Sequence, residues 1–174
     1  MSEDEVEPIP DYLDSRSVNY RRRKGGTFDH ECVEFRYTAG HLSIDCSVHY
    51  SPGGLTFTVF AQIQDEFDLA KRDEMIKIAN HANLVSRYGS MIVGEPYEDK
   101  FSTWVRLSNA DSNSPEPPVI HAMISNACNT MDLYYPAIMK LIWGGMDADE
   151  AIKFAHSSDD DDTVDPPPPI SGYE

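Results

Sequence analysis

The chain has 174 residues, 40% of them hydrophobic, and a formal net charge of −16, a length that suits one domain able to bury a core without disulfides or structural metal. A field of that sign excludes a non-specific binder of nucleic acid or of an anionic membrane surface, and no apolar run approaches the roughly 18–20 residues of a spanning helix. With no secretion signal at its start and three cysteines (Cys32, Cys46 and Cys128) that form no C-x-x-C pair, the sequence predicts a soluble protein of a reducing, cytoplasmic compartment.

The acids are unevenly placed. Glu3, Asp4, Glu5, Glu7, Asp11 and Asp14 crowd the N-terminal stretch, and Asp159 to Asp162, Asp165 and Glu174 crowd residues 157–174, with no base in either; the body between them carries −4. Residues 1–26 read as a largely disordered acidic and basic arm, in which Ile9, Tyr12, Leu13, Val18 and Tyr20 can form one short helix against the body, followed by the basic run Arg21 to Lys24.

From residue 30 the hydrophobic period is two. Val33, Phe35 and Tyr37 alternate with polar residues; so do Leu42, Ile44, Cys46, Val48 and Tyr50, and then Leu55, Phe57, Val59, Ala61 and Ile63. Such alternation predicts three strands with one buried face, and the short turn sequences Ala39-Gly40 and Ser51 to Gly54 predict an antiparallel meander. The period then becomes that of a helix, capped by Asp65 or Asp68, running to about Arg87 and ending at Gly89. Strands are expected at Ser90 to Gly94 and Lys100 to Leu107. After a polar loop a helix starts at Pro117 or Pro118 and is expected to stop or kink at Pro136; a shorter helix follows to Trp143. Asp147 to Glu150 has the spacing of a capping box and opens a last helix to about Ala155. Residues 157–174, with four consecutive prolines, read as an acidic disordered tail.

The fold class that follows is α+β: an antiparallel sheet of about five strands in β-β-β-α-β-β-α order, helices on one face, in a single domain over residues 27–156.

No residue pattern specifies a reaction. His30 with Cys32, and His49 with Asp45, hold possible metal ligands but lack companions at recognised spacing, so no metal or cofactor is expected. Cys128 falls on an apolar helical stripe two turns from His121 and reads as an inert core thiol; a small enzyme assembled from such distant residues remains the rival reading. The run Asp159 to Asp162 lacks the spacing and glycine of a calcium loop and reads as a solubilising tail. Four phosphate contacts from Arg21 to Lys24 would weaken roughly a hundredfold between about 50 and 200 mM salt, so this run is not expected to hold nucleic acid; it lies near an acidic tail or helps a partner dock. Phe60 and Trp104 fall opposite their apolar neighbours, which places both on the open face of the sheet, either as anchors for a protein partner or a second copy or covered within the chain by the N-terminal arm.

Ile76 to Asn83, the strand pair around Gly89 to Val93 and Phe101 to Leu107, the run Leu133 to Gly145 and the closing Asp149-Glu150-Ala151-Ile152 together resemble the YbjN family, a bacterial group described as sensory transduction regulators, over about residues 30–155. The tails, the arginine-rich run and the weak first helix depart from it. The resemblance implies a fold like that of type III secretion chaperones and a non-enzymatic protein-binding module with a regulatory or chaperone-like role. A secretion-type chaperone for one specific client, dimeric as such proteins commonly are, is the alternative it implies.

Overall fold

The computed structural model describes residues 7–24, 30–40, 42–51, 56–86, 89–109 and 115–157. Their strands are β1 (Arg21–Lys24), β2 (Glu31–Thr38), β3 (Ser43–Tyr50), β4 (Phe57–Gln62), β5 (Phe67–Asp68), β6 (Ser90–Val93), β7 (Lys100–Phe101) and β8 (Thr103–Asn109). The helices are α1 (Pro8–Ser15), α2 (Arg72–Val85), α3 (Pro117–Ile142) and α4 (Ala148–Ser157). Six strands form one antiparallel sheet in the order β1-β2-β3-β4-β8-β6, and β5 with β7 forms a separate two-residue ribbon. The class is α+β, as the order of periodicities predicts.

Strand alternation decides which face the helices cover. Directly paired residues share a face, so the register Val33↔Val48, Val48↔Val59 and Val59↔Leu107 runs one apolar row across four strands, and Phe35, Cys46, Ala61, Val105 and Met91 make the next. All nine of these side chains are buried. Against them lies α3, whose Ile120, Ile124, Ala127, Cys128, Met131, Tyr134, Ile138 and Leu141 are likewise buried. Each large apolar side chain so enclosed contributes about 1.5–3 kcal/mol, which is why α3 survives Pro136. Pro136 lies inside one continuous helix rather than ending it. The ring removes one backbone hydrogen bond, but Tyr134 before it and Ala137 and Ile138 after it are held by the same core.

The segment 1–26, expected to be a largely disordered arm, contributes both α1 and β1. Ile9, Tyr12 and Leu13 of α1 are buried, and Tyr12 reaches α3, where its hydroxyl shares a 2.7 Å hydrogen bond with Nδ1 of His121. β1 is the sixth strand and has no hydrophobic alternation to announce it: all four residues are exposed, and backbone pairing to β2 defines it. A basic edge of this kind discourages edge-to-edge pairing with a like strand. The acidic arm and the basic run do meet, since Glu7 pairs with Arg22 at 2.9 Å.

Three boundaries also move. The strand expected over Lys100 to Leu107 is divided at Ser102 into β7 and β8, and β8 continues to Asn109. α2 starts at Arg72 after a single 3-10 turn whose first free N–H, on Ala70, is accepted by Asp68 at 2.8 Å. At the far edge of the sheet the Asn83 side chain accepts the N–H of Met91 and donates to its carbonyl, so α2 covers the open edge of β6. α4 starts on the predicted capping box: Asp147 Oδ1 accepts the N–H of Glu150 at 2.9 Å, and Glu150 Oε2 accepts that of Asp147 at 3.4 Å. The tail reading for 158–174 lies outside the described residues.

Candidate functional site: the open face of the sheet

The same register that buries one face builds the other. Rows across the open face read Arg21, Glu34, Ser47, Phe60, Arg106 and Ser90; then Arg36, Asp45, Gln62, Trp104 and Ile92; and, on the other side, Arg23, Cys32, His49, Thr58 and Ser108. α3 packs on β3, β4 and β8 from the opposite side and meets α1 there, while α2 lies along the edge strand β6. Phe60 and Trp104 are both half-buried on the open face and sit on adjacent strands, one diagonal step apart, where the sequence pattern places them.

Each aromatic is oriented by a neighbour. The Phe60 ring meets the His49 ring edge-on with centroids 5.2 Å apart. Trp104 lies over Gly94, where an added Cβ would come within 2.8 Å of Cζ3 of the indole, so the absence of a side chain at Gly94 lets the indole lie down on the turn after β6. That turn is held from α2, since Arg72 Nε donates to the Gly94 carbonyl at 3.3 Å.

Around the aromatics the face is charged but largely paired. Arg23 meets Glu34 at 3.0 Å and Arg36 meets Asp45 at 3.3 Å, while Gln64 donates to the other oxygen of Asp45. A groove of about 600 Å³ runs beside β1 and is lined by Tyr20, Arg21, Arg23, Glu34, Ser47 and Gln62. Such a surface offers aromatic contact area, fixed polar groups and a cationic border beside an open groove.

The other sequence candidates fall elsewhere. Cys32 and His49, on adjacent strands, are brought together with Sγ 3.5 Å from Nε2. Burial pushes the Cys32 thiol up to about 11, with Glu34 adding to the effect, and burial pushes His49 down. Thiol and imidazole are therefore both neutral near pH 7, which is not the ion pair an activated nucleophile needs. Asp45 is engaged by Arg36 and Gln64, and no group of three metal-ligating side chains exists among the described residues. Cys128 is buried against Cys46, whose thiol is raised well above its ordinary value by burial and then by its hydrogen bond to Cys128. His121 turns to Tyr12.

Sequence reasoning did not find the Cys32 and His49 contact, nor that Arg21 and Arg106 share a row with Phe60. Both depend on the exact register across β1 to β8, which the loop sequences do not encode.

Compared with family models and with curated proteins, the chain gives no match. Among the described residues no helix is long and apolar enough to cross a membrane.

Proposed function

We propose that the chain is a non-enzymatic protein-binding module of the YbjN type, with a regulatory or chaperone-like role in a bacterial cytoplasm, and that its partner seats on the open face with Phe60 and Trp104 as anchors. The observation that supports this most is the packing of α3 on one face of the sheet, which leaves two aromatic side chains among polar neighbours on the face away from α3. Truncating anchors of this type costs most binding because the contacts around them exclude water from the anchor's seat. The reading requires no cofactor and no nucleic acid; the resemblance quoted above supports its regulatory or chaperone-like part.

A photo-crosslinking side chain at Gln62, exposed in the Trp104 row, tests it against one at Lys153, exposed on α4. In cells, the Gln62 probe is expected to give a discrete heavier adduct and the Lys153 probe none. An adduct of twice the chain's own mass would assign the face to a second copy. Adducts from Lys153 alone would overturn the reading.

A further inference from the structure

A second constellation lies away from the open face, where α2, α3 and α4 meet. His81 of α2 and His156 of α4 face each other, Nε2 to Nε2, at 3.0 Å, with ring centroids 5.2 Å apart. Tyr134 of α3 stands beside both, its ring centroid 6.5 Å from that of His81 and 6.0 Å from that of His156. The wall is therefore aromatic and the mouth open, for His156 is exposed and His81 half-buried.

The helices that carry the pair are tied at a second point. Glu74, two turns before His81, accepts the N–H of Ala148 at 3.1 Å, and Ala148 opens the helix that ends beside His156. The two helices are thus tied at two points, Glu74 with Ala148 and His81 with His156.

Two imidazole nitrogens at this distance cannot both carry a proton into the gap, so one ring donates and the other presents its lone pair. An ion can replace that proton. Two nitrogens bound at about 2.0–2.1 Å to a tetrahedral ion are roughly 3.3–3.4 Å apart, so the rings need part by only a few tenths of an ångström. The exposed His156 ring has room for that movement.

We propose that His81 and His156 form a two-imidazole site for a divalent transition-metal ion, which clamps α4 to α2. Imidazole pairs select copper, nickel or zinc; calcium and magnesium take oxygen ligands. Among the described residues no third histidine, cysteine or carboxylate completes the shell, so water fills the other positions.

The test titrates the full chain with Cu(II) and with Zn(II). One ion per chain is expected, with an electron paramagnetic resonance spectrum of the copper form split by two nitrogens, and zinc is expected to raise the unfolding temperature because the site exists only in the folded chain. His156→Ala, at an exposed position outside the buried core, and His81→Asn are each expected to remove both signatures. His49→Gln and the combined change of Asp159, Asp160, Asp161 and Asp162 to Asn are expected to leave them in place. Binding that survives loss of both helix histidines, or that fails only when the four aspartates are replaced, would overturn the proposal, as would the absence of any binding by either ion.

Discussion

On its covered face, one row of the sheet reads Val33, Val48, Val59 and Leu107; on its open face the neighbouring row reads Glu34, Ser47, Phe60 and Arg106, carried by the same four strands. The first row is explained by the exclusion of water. It touches α3, and each member must be apolar and of roughly the right volume. The second row bears no such requirement, since the charges there are satisfied by one another and by solvent. An aromatic residue on it needs another cause. What the difference teaches is that the strands fold on one face's chemistry and leave the residues of the other unconstrained by the core, which is where the proposed binding surface lies.

The sharpest way to break that comparison is to truncate an aromatic on each side. Phe35→Ala, in the covered face and fully buried, is expected to cost about 3–5 kcal/mol in chemical denaturation. Phe60→Ala is expected to cost about 1 kcal/mol or less, because its site remains wet. Equal losses would mean that the open face is part of the folding core. Next in size is the seat of Trp104: Gly94→Val places carbon where the indole lies and is expected to cost about 1–3 kcal/mol. In a Trp143→Phe background, where Trp104 is the remaining tryptophan, its emission should shift to longer wavelength as the ring is lifted into solvent. Asp147→Ala, which removes half of the capping box of α4, is expected to cost about 1 kcal/mol without altering either face of the sheet.

The smallest effect concerns pH. Burial lowers the His49 pKa in the folded state, with Glu34 opposing and His30 reinforcing that direction. The unfolded chain therefore binds more protons here as pH falls below about 6.5, and stability falls with it. Comparing denaturation of the wild type and His49→Gln from pH 7.5 to 5 should give the shallower dependence in the variant. A steeper slope in the variant would contradict the assignment.

How much of this was legible in the sequence differs by element. β2, β3 and β4 were readable because each buries one face, and burial writes a period of two into the residues. The side of Phe60 and Trp104 followed from the same arithmetic. The α4 capping box was readable because its two hydrogen bonds are local, three residues apart. β1 was not, for an edge strand with four exposed basic residues carries no apolar alternation and is placed by its neighbour's backbone and by ion pairs to Glu7 and Glu34. Nor was the continuity of α3, where tertiary packing on both sides outweighs the local cost of Pro136. The contacts between His49 and Cys32, and between His81 and His156, join residues 17 and 75 positions apart, and only the assembled register brings them together.

One paired measurement tests the open face most directly: the urea stability of the Phe60→Ala/Trp104→Ala double variant alongside its recovery of partner from an extract of the source cell. Stability within about 2 kcal/mol of the wild type together with loss of the partner recovered by the wild type is the predicted result. Undiminished recovery of that partner by the folded double variant would contradict the account.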